Sequence, residues 1–229
     1  MDQASKGILV IEMCSQDGLL ERLQEANKNL ETIQKELRSY LEKKRERFAR
    51  FYFLSDTDLL EILSQTKEPL AVQPHLKKVF ENINEVTFDK DKKILSMLSA
   101  EKEEIAFVKH VDPNKKNVED WMGELENMMR MSVRQSMLNS IEDYPKKKRS
   151  EWSISHPGQV VLNGSQIIWT NDVEKALKTG GVAGVKEYWE VLNQYLLELV
   201  ELVRTKLSVQ AKVTINALIV IDVHAKDIV

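Results

Sequence analysis

The chain has 229 residues, of which 42% are hydrophobic and 30% charged, a balance typical of a folded protein rather than a disordered one. Its 8 glycines and 5 prolines are too few for a turn-rich β sandwich or barrel, so helices are the expected elements. The net charge of −3 argues against a general attraction to nucleic acid. The single cysteine, Cys14, excludes an internal disulfide and fits a reducing compartment.

Secretory and membrane segments are not indicated by the sequence. The apolar run 8–11 is too short for a signal core. The run 217–221 ends at Asp222, far short of the roughly 20 residues that a membrane span needs. We therefore expect a soluble, intracellular chain.

Residues 1–15 carry no clear pattern and form a poorly defined N-terminal segment. From 16 to 47 the sequence predicts one long helix that begins after Asp17 as its N-cap. Two interpretations of its apolar stripe stay open: packing on a neighbouring bundle, which we favour, and pairing as a coiled-coil partner helix. The stripe alternates spacings of four and three and consists of Leu19, Leu23, Ala26, Leu30, Ile33, Leu37 and Tyr40.

A cluster of aromatic residues at 51–54 is expected to be buried. The stretch 55–58 predicts an N-cap for a short helix that follows it. Pro74 is expected at the first position of another helix, and His75 is expected to be a surface or capping residue rather than a ligand.

The segment 86–108 differs from the rest because it has strand character. Its three apolar runs predict a β-hairpin or short meander inserted in a helical body. After the break at Asp112-Pro113, helical spacing predicts a long helix over about 117–142. Its expected buried side, with methionines as ordinary core residues, is Val118, Trp121, Met122, Leu125, Met128, Met129, Val133, Met137 and Ile141.

The C-terminal third is predicted to be helical from Pro157 onward. The basic run 146–149 is interpreted as a solvated loop, with a basic patch or nuclear signal as the alternative. A helix with an apolar side that includes Val160, Val161, Ile167 and Leu177 should stop at Gly180-Gly181. A second apolar helix should cover 185–207, and a buried helix should follow from about Val209.

These elements predict a mainly α fold, an elongated array of helical bundles with a small β insertion. We expect a helical subdomain at 16–144 that contains the insertion near 86–108. A connecting and candidate flexing segment follows at 145–157. A second helical subdomain at 158–229 is expected to be truncated at its C-terminal end.

No catalytic, cofactor-binding or metal-binding residue can be nominated from the sequence. The run 180–186 has glycines and a lysine, but it lacks the Gly-Lys-Ser/Thr ending and follows a helix, so a helix stop explains it better than a phosphate loop. No pair of carboxylates is marked out for acid–base work. The histidines are scattered, without the spacing of zinc ligands, at His75, His110, His156 and His224.

Several blocks of the sequence resemble dynein heavy chains. The first runs over 51–67 and continues through 72–80, and the second covers 118–126. A third spans 157–177, and the stretch 217–229 is similar to the sequence that precedes the first ATPase module of that family. The blocks occur in the family's order and cover most of the chain from about Leu19. Their sequences resemble axonemal dyneins more than cytoplasmic ones, in particular the inner-arm type.

The resemblance implies that this region is the linker, a helical rod that spans the AAA+ ring and joins it to the tail. It implies a mechanical role in which the linker bends and straightens as ATP turns over in the ring, and so moves the tail along microtubules. ATP and Mg would bind the ring of the full-length protein, and the segment itself would have no cofactor and no catalysis. The implied location is the cytoplasm or cytoskeleton, in particular the ciliary axoneme.

The implied partners are the AAA+ ring of the same heavy chain, other dynein subunits through the tail, and microtubules only indirectly. Nucleic acid and membranes are not expected partners, and the segment should be monomeric. A ring-facing surface should expose an unusually large apolar patch. The alternative is a helical scaffold or adaptor that acts through the coiled-coil-like helix at 16–47. An unrecognised enzyme would need a pocket with convergent titratable groups.

Overall fold

The structure is a computed structural model that describes Cys14, residues 16–64 and residues 68–229. Its helices and one three-stranded sheet confirm the predicted class, mainly α with a small β insertion. The unpatterned segment 1–15 lies outside the described residues, apart from Cys14. The helices are α1 (Leu19–Arg47), α2 (Asp56–Ser64), α3 (Leu76–Val79), α4 (Val118–Asp143), α5 (Arg149–Ser155), α6 (Gly158–Val203) and α7 (Val209–Ile228). The strands are β1 (Glu85–Phe88), β2 (Ile94–Leu98) and β3 (Glu104–Val111).

Shorter 3-10 turns connect several of these elements, at Ala49–Phe53, Pro69–His75 and Tyr144–Lys146. Pro74 lies inside the second of them rather than at the start of an α-helix. His75 is buried rather than at the surface, and it occupies the N-cap position of α3, the other place that we expected for it. In the part of the chain that the structure describes, no helix combines the length and the apolar character needed to cross a bilayer.

The chain divides into two compact units, Met1–Glu61 and Ile62–Val229. The predicted division at 145–157, between two helical subdomains, stays a prediction. That segment carries α5, whose Trp152 is fully buried in a core with residues that follow the segment, with Tyr144 packed against it. The indole of Trp152 also donates to the carbonyl oxygen of Ser140 on α4, so α5 contacts both of its flanks.

In the first unit, α1 confirms the predicted helix but not the packing that we favoured for its stripe. Leu23 is 59% exposed and Leu30 is 64% exposed, while Leu41 is buried. The N-cap is Gly18 in a left-handed conformation, φ 71°, rather than Asp17. Amphipathic spacing reports only that a helix has an apolar side, and cannot report whether a neighbour covers it.

The junction after α1 follows the sequence prediction in part. Ser55 caps α2: its hydroxyl accepts a hydrogen bond from the backbone N–H of Asp58 at 3.1 Å, which is the expected N-cap. Within the aromatic cluster, Phe51 is fully buried, whereas Tyr52 and Phe53 are exposed. The short 3-10 turn points these neighbours in different directions, so the cluster is only half core.

In the second unit, the strands form an antiparallel meander in the order β1-β2-β3. Its first edge is covered by Gln73, whose side-chain amide exchanges two hydrogen bonds with the backbone of Val86. At the other edge strand, Ser132 of α4 accepts a bond from the N–H of Val108 at 3.0 Å. Side chains thus satisfy backbone groups that an edge strand would otherwise leave open.

The helix α4 has nearly the predicted bounds, but its buried side changes along its length. Trp121, Met122 and Leu125 are buried as expected. Further along, Ser132 and Ser140 are buried and Val133 is exposed. The Ser132 hydroxyl accepts a hydrogen bond from β3, and the backbone carbonyl of Ser140 accepts one from Trp152.

The long helix α6 is two helices that meet at Gly181, which has φ 54° and ψ −137°. A Cβ on Gly184 would lie 2.5 Å from the carbonyl oxygen of Ala176, and Tyr188 hydrogen-bonds Asp172. Contacts between residues eight and sixteen positions apart require the chain to double back, since a continuous helix would separate them by about 12 Å and about 24 Å. The predicted helix stop is therefore the turn of an antiparallel helical hairpin, which we call the α6 hairpin.

The α6 hairpin, α5 and α7 enclose one core of Trp152, Val161, Leu199, Ile215 and Leu218. On the first hairpin helix, Val160 and Val161 are buried as predicted, but Ile167 and Leu177, which were also expected to be buried, are exposed. Gly164 and Ser165 are buried instead, because small residues are needed where α5 and α7 approach closely.

Candidate functional site

The most concentrated group of buried polar side chains surrounds Arg149, the first residue of α5. Its Nη2 lies 2.7 Å from each carboxylate oxygen of Asp222 on α7, and it donates to the hydroxyl of Ser165 on the α6 hairpin at 2.7 Å. The side chains of Arg149 and Asp222 are only 6% and 5% exposed. One guanidinium therefore bridges three helices inside the core.

Aromatic residues surround the charged groups of this cluster. The Arg149 guanidinium lies 4.9 Å from the ring centre of Tyr195, and its Nη1 donates to the hydroxyl of Tyr144 at 3.2 Å. Both contacts suit a cation that has little access to water. We call Arg149, Asp222, Ser165, Tyr144 and Tyr195 the Arg149 cluster.

Electrostatics keep the guanidinium charged. Burial acts to lower the pKa of Arg149, but the adjacent Asp222 and Tyr144 outweigh it and hold that pKa above its ordinary value. Burial raises the pKa of Tyr188 and Tyr195, and nearby Asp172 raises the pKa of Tyr188 further. Burial likewise raises the pKa of Asp172, which Lys175 and the Tyr188 hydroxyl partly counteract. Both tyrosines thus stay neutral hydrogen-bonding groups at any physiological pH.

Trp152, on the same short helix as Arg149, joins α4 to the cluster. Its Nε1 donates to the carbonyl oxygen of Ser140 at 2.9 Å, and its ring meets that of Tyr144 edge to face at 5.0 Å. A Cβ on Gly164 would lie 3.2 Å from the indole. The α5 helix is therefore held in place by the buried indole of Trp152 and by the ion pair between Arg149 and Asp222.

A second polar contact ties the β meander to the helical bundle. The backbone N–H of Gly158, at the start of α6, donates to the Glu103 carboxylate at 2.7 Å. Glu103 lies in the turn between β2 and β3. A carboxylate at this end of a helix is favoured both by the unsatisfied N–H groups and by the helix dipole.

Chemically, the Arg149 cluster is suited to holding helices together rather than to binding a substrate. A cleft of about 250 Å³ between α6 and α7 lies beside it, lined in part by Trp169, Asp222 and Ile228. The carboxylate of Asp222 that borders this cleft is already paired with Arg149. A ligand anion or cation would have to break that buried pair, at a large cost.

Most of the residues that were considered as candidate binding or metal-binding residues from the sequence lie outside the Arg149 cluster. The glycines of 180–186 form the turn of the α6 hairpin, as a helix stop rather than a phosphate loop. In the basic run 146–149, Lys147 pairs with Asp143 at 2.7 Å and Arg149 is buried. His156 lies 3.1 Å from the same Asp143. The solvated-loop interpretation was wrong for Arg149, because nothing in its position after three lysines indicated that it would be buried.

Comparison with known proteins identifies the family. Residues 1–140 match the family model described as dynein heavy chain, N-terminal region 2. The whole chain is 47% identical to dynein axonemal heavy chain 1 of Mus musculus over 229 residues, which is 5% of that protein's length. It is 44% identical to dynein axonemal heavy chain 12 of the mouse over 231 residues, 8% of that protein.

The similarity extends to dynein axonemal heavy chain 3 of the mouse, at 46% identity over 231 residues and 6% of its length. The chain thus spans a small part of the curated relatives that it matches. The family match begins before α1 and ends within α4, while the identity to the three relatives continues through the α6 hairpin and α7. On this evidence the chain belongs to the dynein heavy chain family, as a segment of its N-terminal region.

Proposed function

We propose that this segment is the linker of a dynein motor, a lever that couples ATP-driven changes in the AAA+ ring to movement of the tail along microtubules. The segment transmits force and catalyses nothing. ATP and Mg are bound by the ring of the full-length heavy chain. The names of the relatives favour a location in the ciliary axoneme.

The observation that carries this proposal is the shared core of α5, the α6 hairpin and α7. A lever must resist bending, and helices packed around a fully buried Trp152 with an internal ion pair form a stiff body. The contact of Glu103 with Gly158 adds the β meander to that body. Stiffness of this kind suits force transmission better than it suits a binding site that must open and close.

Exposed apolar side chains also support a surface that meets another part of the motor. Val209, Val213 and Val220 on α7 are 60% exposed or more, a pattern that costs solubility unless a partner covers it. We propose that partners of the segment include the AAA+ ring of the same heavy chain. Contact with microtubules is indirect, through the motor as a whole.

The test begins with ATP binding and hydrolysis by the purified 229-residue chain. We expect neither. The chain is then spliced onto the motor ring of its heavy chain, and microtubule gliding is measured with the segment present, deleted, or replaced by a flexible Gly/Ser linker of equal length. Loss of gliding in the last two, with ring ATPase retained, supports the lever. ATP turnover by the segment alone, or full gliding speed with the flexible replacement, contradicts it.

A second candidate function is favoured by the exposed stripe on α1. A helical scaffold or adaptor would use Leu23, Leu30 and Ile33, all more than half exposed, to pair with another helix. Light scattering distinguishes the two functions. A dimer of the 229-residue chain that is lost in Leu30→Asp favours the adaptor, and a folded monomer favours the lever.

A further inference from the structure

The buried side of α7 repeats at coiled-coil spacing, and one position in that stripe is charged. Alternate spacings of four and three place Ala211, Ile215, Leu218, Asp222 and Ala225 on the side that faces the bundle. Ile215 and Leu218 are fully buried, and Asp222 is 4% exposed. A single polar residue in such a stripe is the best-attested device for fixing the register of packed helices.

The apolar members of the stripe define the register only in part. If α7 slides by one turn, about 5.4 Å, Leu218 or Ala225 takes the place of Asp222. One of Ile215 and Leu218 then takes the place of the other at little cost, because volume-conserving apolar changes are tolerated. One of Ala211 and Ile215 also takes the place of the other, and that change of size has a cost of its own.

The charged member changes this balance. Arg149 has its carboxylate partner at 2.7 Å on α7 and its hydroxyl partner Ser165 at 2.7 Å on the α6 hairpin. In a slipped register the guanidinium would stay buried beside Tyr195 without Asp222, and the carboxylate would be buried elsewhere without a cation. Two uncompensated buried charges exclude the slipped arrangement.

We propose that the Arg149–Asp222 pair sets the register of α7 against α5 and the α6 hairpin, and that it does so beyond any net contribution to stability. Arg149 and Asp222 are positioning residues. Under load, the pair keeps the three elements moving as one body, a consequence that rests on the lever function proposed above. The register itself is a property of the 229-residue chain and can be tested without the motor.

The experiment measures the distance between α7 and the α6 hairpin with two spin labels. Cysteines replace Val220 and Leu177, which are 69% and 58% exposed, in a background with Cys14→Ser. Distance distributions by pulsed electron resonance are compared for the parent chain and for Arg149→Met/Asp222→Leu. Circular dichroism and urea unfolding of each variant report whether it is folded.

The parent should give one narrow distance. In the double variant, which replaces the pair with apolar side chains, we expect helix content and urea midpoint to be retained while a second distance displaced by up to about 5 Å appears. Amide hydrogens of α7 should also exchange faster. Arg149→Lys, which retains the charge but loses the forked geometry, should keep the single distance.

The matched control removes a partly exposed ion pair by the same substitutions. Arg130→Met/Glu126→Leu acts on a pair at 2.6 Å on the surface of α4 and should leave the distance unchanged. A single narrow distance in the buried double variant overturns the proposal, because the apolar stripe would then suffice for register. Failure of that variant to fold also overturns it, because the pair would then act through stability. Failure of the spliced motor to depend on the segment contradicts only the lever function.

Discussion

Glu103 and Gly158 lie 55 residues apart in sequence, yet the carboxylate of the first accepts a hydrogen bond from the backbone N–H of the second at 2.7 Å. A Cβ on Gly158 would also lie 2.7 Å from the hydroxyl of Thr214 on α7. The β2–β3 turn, the start of α6 and the first turns of α7 therefore meet at one point. The small β insertion serves here as the N-terminal cap of the first helix of the α6 hairpin.

Removing that cap should weaken the second unit. We expect Glu103→Ala to lower the free energy of unfolding by about 1 kcal/mol, the usual effect of losing a helix N-cap. Urea unfolding followed by circular dichroism measures it. Glu101→Ala, in the same turn but exposed, is the control and should be neutral. Equal effects of the two substitutions would show that the Glu103–Gly158 bond contributes nothing to stability.

Gly184 should resist substitution more than its neighbour Gly180. In Gly184→Ala, the new Cβ would lie 2.5 Å from the carbonyl oxygen of Ala176 and force the two hairpin helices apart, at about 1–3 kcal/mol for overpacking. A Cβ at Gly180 meets nothing within 4 Å, so Gly180→Ala should be neutral or slightly stabilising. Thermal midpoints of both variants decide this. A reversed order would contradict the hairpin.

Trp152 should be the most costly single side chain of the bundle to remove. Trp152→Ala deletes a fully buried indole and its bond to the Ser140 carbonyl, which should cost about 3–5 kcal/mol. The matched variant is Trp189→Ala, at a 38% exposed position on the same bundle, with an expected cost below about 1.5 kcal/mol. Comparable urea midpoints for the two variants would mean that α5 is not anchored as described.

Asp143 should contribute stability that is lost in acid. The hydrogen bond from Lys147, and more weakly that from His156, hold the pKa of Asp143 below its ordinary value of 3.8. Because the folded chain prefers the ionised form, this contribution is complete above that ordinary pKa and disappears as pH falls through the lower folded pKa. Asp143→Asn should therefore lower the urea midpoint at pH 6, with a difference from the parent that shrinks below pH 4. A difference that is the same at pH 6 and at pH 3 would contradict the assignment.

Local signals predicted most of the elements. Apolar spacing located α4 to within one residue at each end, and Gly180-Gly181 marked the hairpin turn, because both depend on neighbouring residues alone. The strands of the meander were visible as short apolar runs for the same reason.

What the sequence could not predict depends on contacts between distant residues. Arg149 and Asp222 are 73 positions apart, and the lysines before Arg149 made it look solvated. The only hint was Asp222 itself, a charge at a buried position of an apolar helix. The burial of Ser132 and Ser140 was hidden similarly, since it depends on contacts with the distant Val108 and Trp152.

The covered margins of the β meander limit how the sheets of two copies of this chain can meet. A free strand edge offers its backbone groups to any extended segment nearby, and closely spaced copies would then be prone to cross-strand aggregation. Gln73 occupies one margin and Ser132 interrupts the other. Two copies of this segment that meet should therefore stay separate, without their sheets joining into a continuous ribbon.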